Sequence, residues 1–432
     1  MTNDTPTNDR SEPGLARNVS FWGLTVAQFL GAFNDNLFKQ VVLLICVDLR
    51  KAGGADYQGL AQFLFALPFI LFSGLAGFLS DRYSKRRIIV LCKLAEIGIM
   101  VVGTVAVAIG SLPAALGIIF LMGSHSAFFG PSKYGILPEL VPANQLPRAN
   151  GLFLMTTFLG IILGMGLAGA VKGTMALSPW MAGPFFVGFA MLGTVAALLV
   201  RKTSPVSPGM PLEVGSLFIG RATRRMILAD RALLLVLGVS SLFWFCGGVV
   251  QPAVNSYGKL DLYRELAISQ ADVRTSLLAA CLALGIAVGC PLAGLLCRGK
   301  VDFRVTGAGA WGIIAGLLTL AVVGATRGPN EWLVRGLLLF VGASTGLFTV
   351  PLQVFLQSRP PADQRGRVIG AMNLVQWVGI AAAAGFYALG DQIRVALEWP
   401  ISSLFALTAV VIVPVAVWFR PWRSGWFSGL PR

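Results

Sequence analysis

Asp35 and Lys39 lie four residues apart inside an apolar stretch, in the segment AFNDNLFKQ. A charge at membrane depth costs roughly 2.5–3.5 kcal/mol on insertion scales, so its presence there points to function. The i, i+4 spacing, acid first, lets a carboxylate and an ammonium neutralise each other on one helix face. The chemistry open to such a pair is noncovalent: an anion for a ligand's ammonium, a cation for its acidic group. Gln28, Ala32, Asp35 and Lys39 share one helical stripe. A later apolar segment repeats the spacing with Trp244, Gly248, Gln251 and Asn255. Facing one another, the two stripes would enclose a polar centre suited to a zwitterion, charged on one wall and amide-lined on the other.

Other side chains add to this core. Lys93 and Glu96, at i, i+3 in another apolar segment, form a candidate ion pair. Asn373 and Gln376, also i, i+3, are candidates for the lining of the second half of the cavity. Pro131 and Pro138 should kink or end the segment that carries Lys133, placing that lysine near an inner mouth. His125 is the only histidine, which argues against a histidine triad or a histidine-built metal centre; a packed, hydrogen-bonded role is expected for it, with a proton relay as the alternative reading. The six cysteines have no metal-ligand spacing and read as small buried hydrophobes. No GxxxxGK[ST] nucleotide loop is present. Neither cofactor, metal nor enzymatic activity is expected.

The elements that must position these residues are membrane helices. Of 432 residues, 56% are hydrophobic and 12% charged, against about 25% charged in soluble proteins. The net charge of +15 does not indicate nucleic acid, because the basic residues gather at the ends of apolar segments. A bilayer core takes about 20 helical residues, and twelve such spans are expected near 20–47, 58–80, 88–110, 113–137, 149–172, 180–200, 232–256, 273–297, 304–326, 333–356, 367–389 and 399–419. With both termini cytoplasmic, the inner segments carry about 23 of the 34 basic residues and the outer ones about 9. The expected organisation is a tail at 1–19, a six-helix half at 20–200, a basic cytoplasmic linker at 201–231, a second half at 232–419 and a tail at 420–432. AGFLSDRYSKRR (76–87) and AGLLCRGKVDFR (293–304) occupy matching places in the two halves, as expected of a transporter built from repeats.

The loop GFLSDRYSKRR resembles motif A of the major facilitator superfamily, with Gly77, Asp81, Arg82, Arg86 and Arg87 in register. The resemblance implies an all-α integral membrane protein with the twelve-helix major facilitator fold, and a cytoplasmic latch between its halves at Asp81 and the arginines. AFNDNLFKQ, FFGPSKYGILPELVP, RANGL and SLFWFCGG together resemble the lysophospholipid transporter branch, including members fused to an acyltransferase and an acyl-carrier-protein synthetase. This implies movement of lysophospholipid from the outer to the inner leaflet of a bacterial inner membrane, with Asn34, Asp35, Asn36, Lys39, Lys133 and Tyr134 as the matching positions. The implied partners are the lysolipid, membrane lipids and a separate acyltransferase or acyl-carrier-protein synthetase, and the expected state is a monomer. The sequence departs from the branch at Gln251, near where stand-alone members tend to carry an arginine. The competing expectation is a general exporter of drugs or small amphipathic solutes, which the same fold accommodates.

Overall fold

In the computed structural model, residues 15–142, 145–205, 221–297, 301–326, 330–359 and 365–419 are described. Most of the expected 1–19 tail, residues 206–220 of the linker, the 420–432 tail and the side chain of Asp81 lie outside the described residues. Among the described residues the chain runs through α1 (Val19–Lys51), α2 (Gln58–Arg82), α3 (Lys85–Ala108), α4 (Leu112–Gly135), a single turn α5 (Leu137–Leu140), α6 (Leu146–Thr174) and α7 (Gly183–Leu198). It continues through α8 (Arg221–Ala229), α9 (Arg231–Tyr257), α10 (Ile268–Cys297), α11 (Phe303–Gly324), α12 (Glu331–Ser358), α13 (Arg365–Ala396) and α14 (Ser403–Trp418). Eleven of these segments are long and apolar enough to cross a membrane, and α14 is a shorter apolar twelfth.

Several helix starts are written in the sequence. The side chains of Asn18, Ser111, Asp230, Asp302 and Asn330 accept hydrogen bonds from first-turn N–H groups of α1, α4, α9, α11 and α12, satisfying donors that no helical carbonyl can reach. Two ends differ from expectation. Helix α13 runs past 389 to Ala396, because Asp391 and Arg394 at its end pair with one another at 2.9 Å. Helix α4 passes through Pro131 and ends at Gly135, while Pro138 sits in the first turn of α5, where its missing N–H costs nothing.

Apolar packing falls into two sets. Residues 15–200 supply two buried clusters, one around Phe38, Met100 and Phe186 and one around Phe21, Leu24 and Phe153. Residues 227–419 supply a third, around Tyr257, Leu317, Phe355 and Phe405. Large apolar side chains such as Leu163, Leu295, Val322 and Trp418 stay exposed, the surface a lipid phase would cover. The first six long helices meet the last six mainly where α6 packs on α10 and α2 on α13. Close approach is set by glycine: a Cβ on Gly169 of α6 would collide with the Asp272 carbonyl of α10.

Candidate functional site

Helix α1 carries most of the candidate residues, and they divide by direction. Gln28 Nε2 donates to Phe153 O at 2.9 Å and to Thr157 Oγ1 at 2.7 Å, and Thr157 donates back to Gln28 Oε1 at 3.0 Å. Its hydrogen-bonding capacity is spent tying α1 to α6. Asn34 Nδ2 donates to Phe186 O at 3.1 Å and to Glu96 Oε1 at 3.3 Å. Asn36 Nδ2 donates to Ala32 O on its own helix.

Asp35 and Lys39 are both buried, yet they do not form the expected i, i+4 ion pair. The Asp35 carboxylate turns to α4, where Ser126 Oγ donates to Oδ2 at 2.6 Å. The Lys39 ammonium turns to α2 and lies over the Phe65 ring, 5.0 Å from its centroid. Competing partners on two neighbouring helices pull the charges apart. Asp35 Oδ1 is left buried without a hydrogen-bond partner, and Lys39 is absent from the described ion pairs. Lys133 is likewise held by aromatic faces, 5.4 Å from Phe129 and 5.1 Å from Tyr134. An unsatisfied anion and cations held only by rings have capacity left for a ligand's opposite charges.

The opposite stripe has a different job. Asn255 Oδ1 accepts from Gln40 Nε2 at 2.8 Å and its Nδ2 donates to Gln58 Oε1 at 3.1 Å. Gln251 Oε1 accepts from Gln62 at 2.9 Å and its Nε2 donates to Gln40 Oε1 at 3.2 Å. Instead of lining an open wall, these amides form a seal between the two helix groups. Trp244 Nε1 is buried with no hydrogen-bond partner among the described residues. Gln376 donates to Ser240 at 3.2 Å, and Asn373 is exposed. A cross-group stack closes the other flank, with Trp377 on Phe69 at 3.7 Å and 9°.

The seal continues into ionic clasps that the sequence reading did not anticipate. Lys172 and Lys259 both pair with Asp272 at 2.5 Å, and both reach Asp48. Arg50 joins Asp56 at 2.9 Å and Asp391 at 2.8 Å, and Tyr387 donates to Asp56 at 2.7 Å. The seal and the clasps take α1 from Gln40 onward, so Asp35 and Lys39 lie just inside the sealed end. The matching i, i+4 spacing of Gln58 and Gln62 with that of Gln251 and Asn255 was a signal for the seal. The clasp charges sit at span ends, where they read as topology.

At the motif-A end the described partners belong to the first helix group. Arg86 donates to Val200 O at 2.5 Å and to Leu198 O at 3.2 Å, capping the end of α7. Arg82 lies near the Phe78 and Tyr83 rings, Arg87 is exposed, and Gly77 has open space beside it. Lys85, outside the expected set, pairs with Glu139.

Apolar helices in two groups, sealed together at one end beside buried, unpaired charges, define a polytopic transporter. The pattern of the Major Facilitator Superfamily matches residues 24–384, and the chain belongs to that family. It is a multi-pass membrane protein, and its relatives are transporters rather than enzymes. It is similar to the Lysophospholipid transporter LplT of Escherichia coli O1:K1 / APEC, with 29% identity over 417 residues, 93% of this chain and 98% of the relative. The same transporter from Escherichia coli strain K12 / DH10B matches to the same extent. Among solved structures, a bacterial homolog of the human lysosomal transporter Spinster, inward-facing and unoccupied, superposes with a TM-score of 0.64 at 16% identity, covering 93% of this chain and 96% of the other. A D-xylose-proton symporter superposes at 0.66 with 15% identity, covering 93% and 98%. At these identities the likeness is one of fold.

Proposed function

We propose that this transporter moves lysophospholipid from the outer to the inner leaflet of a bacterial inner membrane by alternating access. Its two six-helix halves, 20–200 and 232–419, would rock about the Asp35–Lys39 level, with both termini and the 201–231 linker cytoplasmic. The similarity to LplT over nearly the full length of both chains supports the substrate class. The observation that carries the reading is the split pair: among the described residues Asp35 Oδ1 has no hydrogen-bond partner, and Lys39 forms no ion pair and lies over the Phe65 ring. A zwitterionic head group supplies both missing charges, its ammonium to Asp35 and its phosphate to Lys39 and Lys133. With the sealed end outward, the opposite end of the helix groups would face the cytoplasm. A separate acyltransferase or acyl-carrier-protein synthetase would then consume the lysolipid in the inner leaflet.

The test is a leaflet assay in proteoliposomes, with lysophosphatidylethanolamine loaded on the outer face and its arrival inside followed by back-extraction. Asp35→Asn and Lys39→Ala should each lower the rate at least about tenfold, the order expected when a buried charge loses its counter-charge. Unchanged rates in normally inserted variants would overturn the site assignment.

A further inference from the structure

The buried charges of α3 and α4 are spent on one another. Lys93 Nζ pairs with Glu96 Oε2 at 2.7 Å, and His125 is held between that oxygen at 3.5 Å and the Met122 carbonyl oxygen at 2.8 Å. A different charged group, on the outside of the second half, has no part in the head-group reading. Helices α10 and α12 both begin at the sealed end and pack side by side, so closely that a Cβ on Gly285 or Gly342 would strike the backbone of the other helix. Arg274, in the second turn of α10, donates from Nη1 to Glu331 Oε2 at 2.9 Å. Arg335, one turn into α12, pairs through Nη2 with the other oxygen, Glu331 Oε1. One carboxylate therefore serves two guanidiniums, and the triad carries a net charge of +1. The next charges on this surface, Arg264 and Glu265, are exposed and pair with each other. Asp272, two residues before Arg274, lies on the opposite face of α10 and is taken by Lys172 and Lys259.

The two guanidiniums have donors left over. Each offers five N–H groups, and Arg335 Nε is buried with no hydrogen-bond partner among the described residues. Arg274 lies 5.8 Å from the Tyr263 ring centroid and Arg335 4.8 Å from that of Trp332, contacts that orient the guanidinium planes without consuming N–H groups. The surface beside them is apolar. Arg274 heads an exposed stripe of α10 that continues through Leu277, Leu284, Val288 and Leu295. On α12, Trp332 is 74% exposed, and a Cβ on Gly336, between Trp332 and Phe340, would meet nothing within 4 Å. Both helices are long and apolar enough to cross a membrane. Arg274 and Arg335 lie six and four residues from the helix starts, or about 6–9 Å along the axis. That is the order of the polar layer, about 5–8 Å, on each side of a bilayer core, where an exposed tryptophan also settles.

We infer that Arg274 and Arg335 form a clamp for the phosphate of a membrane phospholipid whose acyl chains lie along the Leu277–Leu295 stripe. The phosphate offsets the surplus charge of the triad and accepts from the donors that Glu331 leaves, in the forked geometry that suits guanidinium. The occupant is a two-chain phospholipid of the leaflet at the sealed end rather than the transported lysolipid. The stripe is open to the lipid phase and excludes no second chain, so phosphate recognition there favours the most abundant phospholipid. The bound lipid ties α10 to α12 from outside, beside the Asp272 clasp.

Native mass spectrometry of the full chain, delipidated in detergent and titrated with two-chain phosphatidylglycerol, reads the occupancy. The tightest-bound molecule should be held about five- to tenfold more weakly by Arg274→Gln, the order of one hydrogen bond to a charged group. The Arg274 side chain is 47% exposed, and an unchanged melting temperature in phospholipid-free detergent checks that the variant folds. Arg274→Lys, which keeps the charge without the fork, should show a smaller loss in the same direction and decides the matter if the Gln variant does not fold. A galactolipid with the same two chains should not replace the phospholipid, and inorganic phosphate should not displace it. Equal phospholipid affinity in wild type and the folded variants, or equal affinity for the galactolipid, overturns the clamp. Displacement by inorganic phosphate overturns a lipid as its occupant, and preferential capture of lysophosphatidylglycerol overturns the two-chain assignment. Lysophosphatidylethanolamine transport should persist in Arg274→Gln, since the clamp lies outside the Asp35–Lys39 site; its loss in a folded variant overturns that separation.

Discussion

Asp272→Asn should open the sealed end of the transporter. Asp272 is 1% exposed and holds Lys172 and Lys259 at 2.5 Å each, with Lys259 2% and Lys172 10% exposed. Removing one partner of a buried ion pair costs about 3–5 kcal/mol, because the other charge is left uncompensated. Asp48 still reaches both lysines and, at 25% exposure, is partly hydrated, so part of that loss is recovered. About 2–3 kcal/mol then falls on the sealed state alone, since separation of the halves returns the lysines to water. That shifts the ratio of open to sealed conformers by about 30- to 150-fold. Spin labels placed at Ala55→Cys and Glu265→Cys in a background lacking the six native cysteines would report the change by pulsed dipolar spectroscopy. The wild-type background should give a short, narrow distance distribution, and Asp272→Asn a long one. An unchanged distribution in a folded variant would refute the assignment of the cluster as a clasp.

Gly169→Val should act on the same equilibrium by sterics. Its side chain would collide with the Asp272 backbone of α10, forcing α6 and α10 apart, so the same label pair should lengthen while the charges stay intact. Asp230 lies outside the membrane spans and tests stability: its carboxylate accepts from Ala232 and Leu233 N–H and from Arg359. Partial burial pushes its pKa up, but the Arg359 bond and the two N–H groups hold it below the ordinary carboxylate value. Asp230→Ala should cost about 1–2 kcal/mol through the lost helix cap, with under about 1 kcal/mol more from the partly exposed Arg359 bridge. A depressed carboxyl pKa stabilises above the unfolded value near pH 4 and loses its contribution as pH falls through the folded value. The difference in melting temperature between wild type and variant should therefore narrow in acid, as read by thermal denaturation in detergent.

The fold was legible because its signals are local. Long apolar runs gave helices close to their observed bounds, and the caps seen in the structure at Asn18, Asp230 and Asn330 are local as well. The pairing of Lys93 with Glu96, an i, i+3 contact within one helix, was also legible. Contacts between helices were not. Asp272 and Lys172 are 100 residues apart in the chain, and Gln40 and Asn255 are 215 apart. Each residue alone reads as an ordinary polar residue in or near a span end.

Asp35 and Lys39 mark the boundary between the two kinds of information. The sequence by itself determined that two opposite charges sit in the first membrane helix, on one stripe, since helical periodicity and the price of a buried charge require nothing beyond the chain. Only the tertiary structure decided that they do not close into an ion pair. Ser126 on α4 draws the carboxylate one way, and the Phe65 ring on α2 holds the ammonium the other. It also decided that the matching amides Gln251 and Asn255 serve as a seal, because Gln40, Gln58 and Gln62 reach them first. Where a polar side chain spends its hydrogen bonds depends on which neighbour packing brings within 3 Å, and that distance is fixed between helices rather than along one.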